Sequence, residues 1–236
     1  FDICQVYVKI LIMRKKEGLV FLLPAFLIAF VIFVGCRERK KGPEAGDLQT
    51  RVEALDSTYL FNGKDLDGWE ITNFGTQGPV YVSGDQIMLV MGDGCTGITW
   101  KRDFPEMNYM ITLEAKRVAG TDFFCGLTFP VAGDPLSLIV GGWGGATVGL
   151  SSIDGKDASE NETTRLMKLD SGRWYKICLI VKSDTVKALI DDEVVVDVST
   201  KNKSLSIRPE VELSKPFGIA SWRTTAALRN IRLEKL

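Results

Sequence analysis

From Tyr59 to Leu236 apolar side chains recur at every second position, not every third or fourth. In YMITLEAKRV (109–118), Tyr109, Ile111, Leu113 and Ala115 alternate with Met110, Thr112, Glu114 and Lys116. In WYKICLIVK (174–182), Tyr175, Ile177, Leu179 and Val181 share one side. Successive side chains of an extended chain point to opposite faces, so this period predicts half-buried β-strands. TVKALID and DEVVVDV flank Asp191-Asp192, which predicts a hairpin over 185–198. PFGIASW (216–222) and AALRNIRLEKL (226–236) supply the last strands, and PEVELSK (209–215) reads as a short turn. Glycine and proline punctuate the spaces between, from Gly92 to Pro135. There is no amphipathic helix in this region and no repeat at a fixed period. Many short, evenly spaced strands predict an all-β domain, a sandwich or barrel.

One segment breaks the pattern. RKKEGLVFLLPAFLIAFVIFVGC (14–36) has a basic start, an apolar run from Leu19 to Gly35 and a closing cysteine. That order predicts a secretory signal; the run is short for a membrane-spanning helix, which needs about 20 residues. FVGC matches a bacterial lipobox, with Phe33 where Leu is commoner, and makes Cys36 the lipidated residue. Met13 precedes the basic start, so residues 1–12 are expected to be an upstream artefact and 13–36 the lipoprotein signal. Residues 37–50, charged and without apolar periodicity, are expected to be a flexible tether. The folded domain is then 51–236, at the bacterial cell envelope and bound to the membrane through the lipid on Cys36.

Charge narrows the function classes. The chain has 29 Lys and Arg against 30 Asp and Glu, and this balance gives no basic surface for nucleic acid. There are no histidines. Their absence removes Ser-His-Asp and Cys-His nucleophiles and His-ligated metals, so acid–base chemistry must come from Asp, Glu, Lys, Tyr or Cys. Cys95, Cys125 and Cys178 form no C-x-x-C pair and are expected to be buried free thiols.

YLFNGKDLDGWE (59–70) and LRNIRL (228–233) resemble the opening and closing motifs of the 3-keto-disaccharide hydrolase domain family. ALIDDEVVVD also resembles a strand pair of laminin-G-like sandwiches. The family resemblance covers Tyr59 to Leu236. It implies a concanavalin A-like jelly-roll β-sandwich of two antiparallel sheets, and an exported bacterial protein acting on glycans. It implies a reaction as well. A ketone at C3 acidifies the neighbouring C–H, a base removes the C2 proton, the glycosidic oxygen leaves, and water adds. Such a route needs a base, an acid and an electrophile, and no histidine.

Several stretches could hold that chemistry. GGWGGATVGL (141–150) surrounds Trp143 with glycines. No helix and no Lys-Ser/Thr pair follows, so it is not a phosphate loop; Trp143 is expected either to stack on a sugar or to be buried at a sheet bend. In SSIDGKDASENETT (151–164), Asp154, Asp157, Asn161 and Glu162 could supply oxygen ligands to calcium, although Lys156 breaks the EF-hand spacing. Asn161 could otherwise bind sugar hydroxyls, or the segment could be a solvated loop. Asp122, beside Phe123 and Phe124, is a candidate base, with Asp154 and Glu162 as alternatives. Arg117 and Arg223 are candidate electrophiles, a role a divalent cation could take instead; otherwise they form structural contacts. Trp222 could join Trp143. Trp69 is expected in the core, with Asn62, Gly63 and Asp65 as a turn. No Glu-x-Asp-x-Glu run is present, so paired-carboxylate glycoside hydrolysis has no local support. A carbohydrate-active hydrolase or lyase is the leading expectation. A non-catalytic glycan-binding lipoprotein and a laminin-G-like adhesion module are the alternatives.

Overall fold

The computed structural model describes residues 57–236. The expectations for the signal, Cys36, residues 1–12 and the tether lie outside the described residues. Among the described residues fifteen strands follow one another. They are β1 (Ser57–Tyr59), β2 (Trp69–Ile71), β3 (Val80–Ser83), β4 (Gln86–Leu89), β5 (Cys95–Trp100), β6 (Tyr109–Gly120), β7 (Cys125–Val131) and β8 (Asp134–Gly142). Then come β9 (Thr147–Ser151), β10 (Arg165–Leu166), β11 (Trp174–Val181), β12 (Thr185–Ile190), β13 (Glu193–Ser199), β14 (Gly218–Trp222) and β15 (Thr224–Lys235).

The strands form two antiparallel sheets. The first has the order β13-β12-β11-β6-β15-β4-β3, with β1 also pairing β15; the second runs β10-β9-β8-β7-β14-β5-β2. The all-β sandwich expected from the two-residue period, in the jelly-roll form that the family resemblance implies, is therefore the observed fold. Tyr109, Ile111, Leu113 and Tyr175 of the first sheet share one core with Phe124, Leu127, Phe129 and Val140 of the second. Both phenolic tips in that layer are satisfied: Tyr109 Oη donates to the Pro130 carbonyl at 2.7 Å, and Tyr175 Oη accepts from the Asp170 amide at 2.6 Å. The hairpin sits where it was expected, with Asp191 and Asp192 both at positive φ (48° and 68°), as a two-residue turn of matching twist requires.

The opening motif is structural. Leu60, Phe61 and Trp69 are buried. Trp69 Nε1 donates to the Leu60 carbonyl at 2.7 Å, and its ring meets Trp100 edge-on at 5.1 Å. Asn62 Oδ1 accepts from the amides of Lys64 and Asp65, which makes the turn. Residues 209–215, expected as a turn, contain a 3-10 helix, Pro209–Ser214, packed on β5 and β14. Thr99 Oγ1 donates to its Leu213 carbonyl at 3.0 Å.

Cys95 and Cys125 are buried free thiols. Cys178 departs from that expectation: it is disulfide-bonded. The two-residue period explains the difference, since Ile177 and Leu179 point into the main core and Cys178 points to the other face of β11. Burial pushes the Cys125 thiol far up, and pushes Cys95 up to about 12 with a smaller push from the Glu210 charge. The reactive species is the thiolate. At pH 8 a thiol-specific reagent is therefore expected to leave Cys95 and Cys125 unmodified in the native protein and to modify both in urea. Peptide mapping reads the outcome, and rapid native labelling of either residue would contradict this account.

Candidate functional site

The outer face of the second sheet is built from small side chains. Inward positions on β5, β7, β8, β9 and β14 are filled by Ile98, Leu127, Leu138, Leu150 and Ile219. Between them lie Gly97, Thr128, Ser137, Ser151 and Ala220. Thr128 and Ser137 hydrogen-bond across β7 and β8 at 3.0 Å. A Cβ on Gly97 would stand 2.9 Å from the Ala220 Cβ, so that pair of strands leaves no room for a larger side chain. Loops raised around this low floor leave a cleft of about 270 Å³.

One wall is aromatic. Trp143, Trp222 and Phe123 line it, with Ile139 and Cys95 beneath. Trp143 stands at the corner of a turn in which Gly145 N donates to the Gly142 carbonyl at 3.1 Å. Its φ of 47° and that of Gly144 at 85° turn the indole outward, and it is 44% exposed. The other wall is polar: Arg208 and Glu210, at the start of the 3-10 helix, with Ser137 and Ser151 on the floor.

Asp122 lies in the same cleft, beside the aromatic wall. Its Oδ1 accepts from the Phe123 amide at 2.8 Å, and its Oδ2 has only a long contact, 3.4 Å, from the Gly144 amide. Arg117 lies behind it and does not line the cleft. The inward period of β6 continues through 109, 111, 113 and 115 to 117, and Arg117 is buried against the Phe124 ring. Its guanidinium donates to four carbonyls: Asp122 (3.2 Å), Leu169 (2.9 Å), Gly141 (3.4 Å) and Gly145 (2.9 Å). Burial lowers its proton affinity from the ordinary guanidinium value, partly offset by Tyr175 and Asp122. A Cβ on Gly141 would lie 2.5 Å from Arg117 Nη2, so the loop's glycine there serves the arginine.

Of the sequence-derived candidates, Asp122, Trp143 and Trp222 come together. Arg223 sits at the rim, at 2.8 Å from Asp93 and stacked by Trp222 at 5.7 Å, outside the cleft lining. Asp154, Asn161 and Glu162 lie elsewhere. Asp154 Oδ1 accepts from the Ser204 amide at 2.9 Å, and Glu162 pairs with Lys203. Asn161 Nδ2 donates to the carbonyls of Leu150, Lys156 and Asp157, while its Oδ1 accepts from Thr163. That side chain ties its loop down and has little left for a ligand. Asp157 Oδ1 accepts from the hydroxyls of Ser151 (3.1 Å) and Ser152 (3.0 Å), and its Oδ2 accepts from Arg208 Nη1 at 2.5 Å. The four residues considered for calcium are thus each engaged separately. Among the described residues no cluster of three or more carboxylates or cysteines gathers in metal-binding geometry.

Sequence reasoning passed over Arg208 and Glu210. Arg208 Nη2 and Nε donate to Glu210 at 2.8 and 3.3 Å. The hydrogen bond between them raises the proton affinity of Arg208, with Asp157 adding to it, and lowers that of Glu210 against the opposing effects of burial and the Asp157 charge, so both stay charged. The available signal was the R-P-E spacing at the mouth of a turn, which is weak by itself. An ionised carboxylate, a fixed guanidinium, one exposed indole and one half-buried indole thus stand around one small-residue floor.

Comparison with known proteins adds the family context. The model of the 3-keto-alpha-glucoside-1,2-lyase-like domain matches residues 56–234. No curated protein matches. Among solved structures, the Crh5 transglycosylase in complex with NAG is similar at TM-score 0.54 and 15% identity, covering 77% of this chain and 85% of that one. A Bacillus subtilis protein of unknown function with a galectin-like fold is similar at 0.53 and 13%, covering 76% and 94%. A Parabacteroides distasonis protein provisionally named a glycosyl hydrolase is similar at 0.50 and 15%, covering 76% and 94%. At these identities the likeness is one of fold.

Proposed function

Because the chain belongs to the 3-keto-alpha-glucoside-1,2-lyase-like domain family, we propose that it cleaves 3-keto glycosides by elimination followed by hydration. The observation that carries the reading is the sharing of one cleft by Asp122, Arg208, Trp143 and Trp222. The indoles offer apolar faces on which a sugar ring stacks. Asp122 takes the C2 proton, and the C–H electron pair passes into an enolate at C3. Arg208 uses N–H groups not committed to Asp157 and Glu210 to stabilise the enolate oxygen. The C3 carbonyl then re-forms as C1=C2 forms, the C1–O bond breaks, and the leaving oxygen takes up the proton that Asp122 removed, which restores the carboxylate. Water adds its hydroxyl at C1 and its proton at C2, so the sum is hydrolysis. Arg208 takes the role expected of Arg117 or Arg223, because it lines the cleft and those two do not.

The test is release of aglycone from 3-keto glucosides and from their unoxidised parents, with and without chelator. Release from the keto sugars alone supports the reading; equal release from the parents, or none from either, sinks it. Loss of release in chelator would assign the electrophile to a metal in place of Arg208.

Trp143 gives a separate handle on sugar binding. Trp143→Ala is expected to raise the KM for the keto glycoside about tenfold, as stacked aromatic contacts contribute about 1–3 kcal/mol in comparable platforms. The melting temperature is expected to hold, because the indole is exposed. An unchanged KM would remove Trp143 from the binding surface.

A further inference from the structure

We propose that the cleft selects by charge, admitting uncharged sugars and excluding those that carry a carboxylate, sulfate or phosphate, with Asp122 and Glu210 as the residues that set the selectivity. The inference rests on the reading of the cleft as the sugar site. Three arginines lie in or near it, and each is already held by protein acceptors, so none offers an uncompensated positive charge to a ligand that arrives as an anion. Arg117 is turned inward on four carbonyls. Arg223 pairs with Asp93 outside the lining. Arg208 sits between two carboxylates, Asp157 at 2.5 Å and Glu210 at 2.8 Å. That group of three is net negative before Asp122 is counted, and Asp122 has no cationic side chain within ion-pair distance among the described residues. An anionic sugar would have to break the Arg208 pairs or remain unpaired beside Asp122 and the apolar wall. Both are unfavourable: the first gives up charge-assisted ion pairs and the second sets like charges side by side.

Uncharged sugars meet a different surface. A hydroxyl can donate to Asp122 Oδ2, whose amide contact is long, and accept from a remaining Arg208 N–H. Charge conservation makes the same arrangement compatible with the elimination. When Asp122 takes the C2 proton its negative charge moves to the enolate, so the total in the cleft does not change for a neutral substrate. An acidic substrate would add a charge throughout.

The test uses a matched pair, the methyl glycoside of glucuronic acid with its free carboxylate (glucuronate) and the corresponding C6 amide, which differ in charge and hardly in shape. Binding is followed by tryptophan fluorescence at low and high salt, with release from 3-keto glucosides measured on the same protein. The amide is expected to bind about tenfold more tightly at low salt, with a smaller gap at high salt where screening shortens the reach of the carboxylates. Glu210→Gln, an exposed substitution, is expected to narrow the gap at low salt. Equal binding, tighter binding of glucuronate, a gap that Glu210→Gln leaves intact, or binding of neither probe overturns the proposal. Release without the charge ranking sinks this inference and leaves the cleavage reading standing. The ranking without release does the reverse.

Discussion

Asp122→Asn is expected to lower kcat/KM for 3-keto glycosides by about 10²–10⁴-fold, the usual contribution of a positioned general base, while the melting temperature stays within about 2 °C, the range of surface substitutions. The two expectations come from different atoms of one side chain. Oδ1 accepts from the Phe123 amide at 2.8 Å and so shapes the loop. An asparagine carbonyl can make that same bond, which preserves the loop. Oδ2 faces the cleft with one weak contact, 3.4 Å from the Gly144 amide. It is the position from which a proton can be taken, and an amide cannot take it. KM is expected to move little, since Trp143 and Trp222 still offer their faces to the ring. If Asp122 served only as a loop cap, the asparagine variant would keep its rate within a few-fold, and that result would return the search for the base to Glu210.

The sandwich was legible because its cause is local and repeated. Tyr109, Ile111, Leu113 and Ala115 state the period on one strand, and Tyr175, Ile177, Leu179 and Val181 state it on the neighbour that pairs with it. The core position of Trp69 was legible for a similar reason, since a large ring at a strand start has more to gain from burial than from water. The same period also held information about Arg117, which falls on the inward set of β6. A charged residue at an inward position has to find several acceptors, and the glycine loop at 141–145 supplies them. Chemistry suggested a role at the substrate; geometry gives the residue a role beneath it.

The polar wall was harder to see. Arg208 and Glu210 lie far along the chain from Asp122, and only the packing of the 3-10 helix on β5 and β14 brings them over the floor. Nothing periodic marks such a pair. Asp157 was noticed for its oxygens, yet whether they meet a calcium ion or a guanidinium depends on which distant segment folds back over Ser151 and Ser152. Conversely, Asp154, Asn161 and Glu162 look like a ligand set when written in a row. The loop spends them on the Ser204 amide, on three carbonyls and on Lys203.

Arg117→Met is expected to show the opposite profile to Asp122→Asn, a large loss of stability. Methionine fills much of the arginine's volume but donates nothing, so the carbonyls of Leu169, Gly141 and Gly145 lose their guanidinium partners. Each buried acceptor left unpaired costs about 1–3 kcal/mol, and these costs do not simply add because water can reach some of them. A net loss of about 3 kcal/mol corresponds to a fall of about 6–12 °C in melting temperature for a domain of this size. Arg117→Lys is expected to recover only part of it, since one ammonium cannot span acceptors held on separate segments as a planar fork does. Below its lowered transition the Met variant is expected to keep measurable release, with a raised KM, because the Gly141–Gly145 loop that presents Trp143 has lost its anchor. If Arg117 instead met the substrate, the melting temperature would hold while kcat collapsed, and Asp122→Asn and Arg117→Met would look alike. Thermal melts and steady-state kinetics on the two variants side by side therefore separate a group that performs the chemistry from one that holds the cleft in shape.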